Sequence, residues 1–155
     1  MSSVAPVRKE LRVNASQAHA FNVFTTRMTN WWPATHSILK SPLKDTVLEP
    51  WVGGRWYAVG EDGSTCQTGH VIEWRPPECV VLAWQINADW QFDEHLITEV
   101  EVRFIAESDA VTRVLLEHRN LHRMGIKAVE TRGLVDSPRG WGAILDSFRK
   151  HAEAA

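Results

Sequence analysis

Apolar and polar positions alternate at the start of the chain. Val7, Lys9, Leu11 and Val13 stand against Arg8, Glu10 and Arg12, the two-residue period of a half-buried strand over Val7–Val13. Asn14-Ala15-Ser16 breaks that pattern, and Ser16 is of the type that caps a helix. Phe21, Phe24 and Met28 then recur at helical spacing, so the period changes and a helix is expected over Gln17–Met28. Trp31-Trp32-Pro33 should end it, because the residue before proline avoids the helical region.

After a polar connection over Ala34–Lys44 the short period returns. Strands are expected at Thr46–Glu49, Arg55–Gly60, Thr65–Trp74, Val80–Ile86, Leu96–Ile105 and Val111–Arg119. They are punctuated by Gly53-Gly54, by the turn-forming Glu61-Asp62-Gly63-Ser64, by Pro76-Pro77, by an acidic loop over Asp89–His95 and by Glu107-Ser108-Asp109. Even spacing and short turns predict an antiparallel meander. Asn120–Asp136 reads as irregular or partly helical. Ser137-Pro138 looks like a helix start, and Trp141, Ile144, Leu145, Phe148 and Ala152 form one apolar stripe. A single amphipathic helix following a run of strands must lie on the sheet to bury that stripe. The expectation is one α+β domain, 1–155, without internal repeat or linker.

Strand alternation also assigns faces. Val80, Leu82, Trp84 and Ile86 share one; Val100, Val102 and Phe104 share another; Val114, Leu116 and His118 share a third, opposite Arg113 and Glu117. These apolar faces should meet the helix. Thr65–Trp74 is ambiguous, with Cys66, Thr68, His70, Ile72 and Trp74 on one side and Gly69 and Val71 on the other. The His70 side is preferred as inward, because Glu73 and Arg75 suit water better.

Composition sharpens this picture at one point. Eight tryptophans among 155 residues exceed what a core filled with Leu, Ile and Val requires, and suggest an aromatic-lined cavity or surface. The formal net charge of −2 offers no electrostatic footprint for nucleic acid or an anionic membrane. The N-terminal residues lack a signal-peptide apolar run, and no stretch approaches a membrane span. Cys66 and Cys79 have neither metal-binding nor redox spacing, which points to reduced thiols and a cytoplasmic setting.

Motifs in this order resemble a known family. They are Trp31-Trp32-Pro33; Leu48-Glu49-Pro50 with Val52-Gly53-Gly54-Arg55-Trp56; Gly69-His70-Val71-Ile72-Glu73-Trp74 with Pro76-Pro77; Trp84; Thr98–Phe104; Thr112 with Leu116-Glu117-His118; and Gly140-Trp141. From Val7 to His151 the chain resembles homologues of the activator of the 90-kDa heat-shock-protein ATPase, within the START-like superfamily. The resemblance implies a helix-grip fold: a curved antiparallel sheet wrapped around a long C-terminal helix, with two short helices after the first strand. It also implies a cavity that takes an apolar or aromatic small molecule, and a link to the stress response. The chain is expected to lack a separate chaperone-docking domain.

Candidate ligand-binding residues are Trp32, His36, Trp56, His70, Trp84, His118 and Trp141. His70 and His118 would be placed polar groups on an apolar wall, the make-up of a ligand site; the plain alternative is a buried histidine satisfied by a backbone carbonyl or a tyrosine. Trp141 would anchor the helix. Of Trp31 and Trp32, one should pack inward and the other cover the pocket mouth, with His36 just beyond. Trp90 and Phe92 would form a lid, or a self-association patch in a homodimer. Glu49 and Arg55 would pair structurally across the Gly53-Gly54 turn.

No phosphate-binding loop or nucleophile elbow is present. His118 and His122 straddle a strand end and make a poor metal pair, so no metal and no cofactor is expected. Three functions follow: a small-molecule binding protein, which is preferred; a chaperone-interacting module with a filled core; and a cyclase- or aromatase-like enzyme using a pocket histidine.

Overall fold

A computed structural model describes residues 4–154. Seven strands form one antiparallel sheet: β1 (Val7–Val13), β2 (Leu43–Leu48), β3 (Arg55–Gly60), β4 (Thr65–Arg75), β5 (Cys79–Trp84), β6 (Thr98–Ser108) and β7 (Val111–Arg119). Their spatial order is β1-β7-β6-β5-β4-β3-β2. The six later strands are therefore a meander, and β1 closes it by pairing with β7 from Val7 opposite His118 to Val13 opposite Thr112. The sheet curls into a half-barrel around α3 (Trp141–Glu153), which is the helix-grip arrangement. Two shorter helices complete it: α1 (Gln17–Phe24) after β1, and α2 (Ala128–Asp136) before α3. No described helix is long and apolar enough to cross a membrane.

The stripe of α3 is the centre of the core. Trp141, Ile144, Leu145, Phe148 and Ala152 are all buried. Phe148 meets Phe24 at 5.2 Å and Trp31 at 5.4 Å between ring centroids, so α1, the segment after it and α3 share one aromatic joint. Opposite them lie Val80, Leu82, Val100, Val102, Phe104, Val114 and Leu116, each at most 1 % exposed, on the faces that alternation assigns inward. The outer face of β1, β7 and β6 carries ions. Arg119 reaches Glu99 at 3.0 Å, Glu117 at 3.4 Å and Glu101 at 3.5 Å, and Arg8 reaches Glu117 at 2.9 Å.

Three local expectations are corrected. The first helix ends at Phe24, not Met28, and a 3-10 turn over Met28–Asn30 follows. The hydroxyls of Thr25 and Thr26 donate back to the carbonyls of Phe21 (2.7 Å) and Asn22 (3.2 Å), competing with continuation of the helix. Ser137 does not start the last helix. It ends α2, donating its hydroxyl to the Leu134 carbonyl at 2.7 Å, and α3 begins only after Gly140. A Cβ at Gly140 would fall 2.4 Å from the Val135 carbonyl oxygen, so the tight approach of α2 to α3 admits only glycine.

The third correction concerns β4. Register shifts leave Thr68 unpaired against β3 and Ile72 unpaired against β5. Each bulge reverses the alternation. Gly69 and Val71 are buried, and a Cβ at Gly69 would sit 1.6 Å from the Ala83 carbonyl oxygen. Beyond Ile72 the parity returns, and Trp74 packs edge-on against Phe21 at 5.1 Å. His70, expected inward, therefore stands on the outer face.

Candidate functional site

The site is a cleft where the sheet opens beside α3. The segment after the 3-10 turn supplies Trp32, Thr35, His36, Ser37 and Ile38; the end of β5 supplies Trp84; the segment that follows supplies Ile86 and Trp90; α3 supplies Ile144. The cleft has a volume of about 380 Å³. A narrow inner recess adjoins it, with room for about 20 Å³, and adds Thr46, Trp56, Ala58, Cys66 and Thr68 to the lining.

The Trp31-Trp32 pair sits where two adjacent side chains must diverge. Trp31 turns into the core, 3 % exposed, and its Nε1–H donates to the Val23 carbonyl at 2.7 Å. Trp32 turns to the cleft, and its Nε1–H donates to the His36 carbonyl at 2.9 Å. His36 in turn directs Nε2–H at the Arg139 carbonyl, while its Nδ1 meets the Thr35 hydroxyl at 3.0 Å. The cleft wall is thus tied to the segment that starts α3, and both ring nitrogens of His36 are occupied.

Behind the cleft the aromatics interlock. Trp32 meets Trp56 at 5.8 Å, Trp56 meets Trp84 at 5.7 Å, and Trp84 meets Trp141 at 5.9 Å, all edge-on. Trp141 lies one layer back, 2 % exposed, and does not line the opening. His118 lies with it, fully buried. Trp141 donates Nε1–H to His118 Nδ1 at 3.1 Å, which makes Nδ1 the acceptor and puts the ring proton on Nε2. Nε2–H then donates to Thr98 Oγ1 at 2.8 Å, and the Thr98 hydroxyl donates to the Trp84 carbonyl at 3.0 Å. Desolvation holds the imidazole neutral and lowers its pKa to about 3. His118 is a satisfied core histidine with no nitrogen left for a ligand.

His70 is outside the site altogether. Its Nδ1 meets Gln85 Oε1 at 2.8 Å on the outer face, and Gln85 Nε2 donates to the Glu94 carbonyl at 3.2 Å. That pair braces the base of the loop after β5. Of the seven candidate residues, four (Trp32, His36, Trp56 and Trp84) surround the cleft and its recess.

The residues not among those candidates are instructive. Ile144 belongs to the helix stripe and Ile86 to the apolar alternation that runs on past Trp84, so the pattern reads both as core; they are buried, at 4 % and 6 % exposure, and still form part of the cleft wall. Ile38 carries no periodic signal. Trp90, expected as part of a lid or a self-association patch, is 46 % exposed and lines the opening. Its φ of 60° lies in the left-handed region, sparsely used by bulky residues. Asn87 holds that turn: its Oδ1 accepts from the backbone N–H of Asp89 (2.9 Å) and Gln91 (3.0 Å). Cys66, in the recess, is pushed to a higher pKa by burial and is no activated thiolate. Glu49 and Arg55 do pair, at 3.5 Å, while the Glu49 carboxylate also accepts the Arg55 backbone N–H at 2.7 Å; the bond is structural.

Two buried polar atoms have no partner among the described residues: Trp56 Nε1 and Thr46 Oγ1. Both residues line the recess.

No curated protein matches the chain. Among solved structures, an anthrahydroquino-gamma-pyrone synthase, Txn09, is 36% identical, with 97% of this chain and 99% of that chain covered and a TM-score of 0.68. The self-sacrificing resistance protein CalC from Micromonospora echinospora is 30% identical, with 97% and 95% covered and a TM-score of 0.72. An HSP90 activator from Plasmodium falciparum, 21% identical over 76% of this chain and 74% of that one with a TM-score of 0.50, shares the fold. The family model described as activator of Hsp90 ATPase homolog 1-like protein matches residues 14–153, and the chain belongs to that family.

Proposed function

We propose that this protein binds a flat aromatic small molecule in the cleft between the sheet and α3. The observation that carries the reading is the lining: three indoles (Trp32, Trp84, Trp90) and three isoleucines (Ile38, Ile86, Ile144) around about 380 Å³ open to solvent. Such a lining gives an aromatic ring both apolar burial and edge or face contacts. The similarity to a synthase named for a fused aromatic product, and to a resistance protein, both at 30% identity or above, supports a small-molecule role.

The pocket-histidine enzyme reading gains nothing from the geometry. His36 is the histidine that lines the cleft, and its two nitrogens are engaged by Arg139 and Thr35. No carboxylate lines the cleft or the recess, so a proton-moving pair is not assembled there. A chaperone partner rests on the family description, and no feature of the cleft calls for it.

The test is a tryptophan-fluorescence titration with anthraquinone-2-sulfonate. Saturable quenching is expected, and Trp90→Ala should weaken binding about tenfold through loss of one stacking and burial contact. Trp90 is half-exposed, so its removal leaves the core intact. Quenching that never saturates, or an affinity indifferent to Trp90, would refute the cleft as the site.

A further inference from the structure

The recess beneath the cleft has a chemistry of its own. Thr46 and Trp56 are 5 % and 1 % exposed. In the β2–β3 register Thr46 stands opposite Ala58 and Leu48 opposite Trp56, which makes Thr46 and Trp56 diagonal neighbours on one face. The backbone of Thr46 is fully occupied: its N–H donates to Thr29 Oγ1 at 3.0 Å, and the Thr29 hydroxyl donates to its carbonyl at 2.7 Å. Its own hydroxyl is left without a partner, as is the indole N–H of Trp56.

An unpaired buried polar atom is costly, and two on residues that line the same recess are a feature to be explained. The indole can only donate; the threonine hydroxyl can donate or accept. Their common complement is an oxygen with two lone pairs. The space available, about 20 Å³, is that of one such atom. The rest of the recess is Ala58, Cys66 and Thr68, and six residues (Trp32, His36, Ser37, Ile38, Trp84 and Ile86) line both recess and cleft.

We infer that the recess is a carbonyl subsite: the ligand is an aromatic ketone or quinone whose ring system lies in the cleft and whose oxygen accepts from Trp56 Nε1–H and Thr46 Oγ1–H. This rests on the cleft reading and adds the polar end of the ligand to it. The two donors fix which end of the ring system enters first.

The experiment compares 2-acetylnaphthalene with 2-isopropylnaphthalene, which have nearly the same shape but exchange the carbonyl oxygen for a methyl group. Affinities are measured by equilibrium dialysis on the wild type, Thr46→Val and Trp56→Phe. The acetyl-to-isopropyl affinity ratio is expected to fall about tenfold in each variant, the loss of one hydrogen bond to a buried donor. Thr46→Val, close to isosteric, should also raise the melting temperature of the free protein, since it deletes an unpaired hydroxyl. A ratio unchanged in both variants would overturn the subsite while leaving the cleft reading intact. Failure of both probes to bind the wild type would remove the cleft reading and the subsite with it.

Discussion

His118 illustrates how a residue legible in sequence acquires its role only from its neighbours. Alternation with Val114 and Leu116 places it inward, and it is inward. What no periodicity reveals is that Trp141, from a helix 23 residues later, donates to its Nδ1. The consequence is a pH dependence whose sign can be worked out. The folded imidazole stays neutral down to about pH 3, whereas the unfolded one takes a proton near 6.5. Between those values the unfolded state binds more protons, so stability falls as the pH drops from 6.5 toward 3 and is level above 6.5. The slope from this one group approaches about 1.4 kcal/mol per pH unit. Urea unfolding of wild type and His118→Gln between pH 7 and pH 4 checks it. Glutamine can accept from Trp141 and donate to Thr98, so the variant should fold and lose that part of the slope. Parallel profiles would mean that His118 is not held neutral by the fold.

At the scale of elements, the long periodic segments read most clearly. β1, β5, β6, β7 and the stripe of α3 lie where the apolar pattern puts them, because burial on one face is the physical origin of both pattern and element. Phe148, fully buried between Phe24 and Trp31, tests that link. Phe148→Ala should lower the unfolding free energy by ~3–5 kcal/mol in urea titrations, the range for an emptied aromatic site. A loss below about 1 kcal/mol would mean that α3 does not depend on its stripe for docking. β4 failed the same reading for a definite reason. Two bulges, at Thr68 and Ile72, reverse the parity twice, and a two-residue period cannot register an insertion set by neighbouring strands. Helix ends failed similarly: Thr25, Thr26 and Ser137 spend their hydroxyls on local carbonyls, and sequence does not say which carbonyl will be in reach.

At the scale of the whole molecule, the cleft forms where the end of β5, the loop after it, the segment after the 3-10 turn and α3 come together. It assembles Trp32, Trp84, Trp90 and Ile144 from four separate segments. A ligand that binds this assembled surface and not the unfolded chain must stabilise the fold by mass action. At a 2-acetylnaphthalene concentration of about 100 times its dissociation constant the gain is ~2.7 kcal/mol, a rise of roughly 5–10 °C in melting temperature for a domain of this size. Differential scanning calorimetry at rising probe concentration would show it. A melting temperature that stays constant while dialysis reports saturation would place the probe on a surface that survives unfolding.

The amino-acid sequence by itself determined the α+β class, the meander, the amphipathic helix that must cover it, and a surplus of tryptophan that pointed to an aromatic-lined cavity or surface. These are local or one-dimensional quantities: periods, turn residues, composition. Tertiary structure alone decided which polar groups were spent and which were free. It turned His70 out through a bulge, saturated His118 with Trp141 and Thr98, and left Trp56 and Thr46 unpaired over one small recess. Hydrogen-bond satisfaction is a property of pairs brought together across the chain, and a sequence lists only the members.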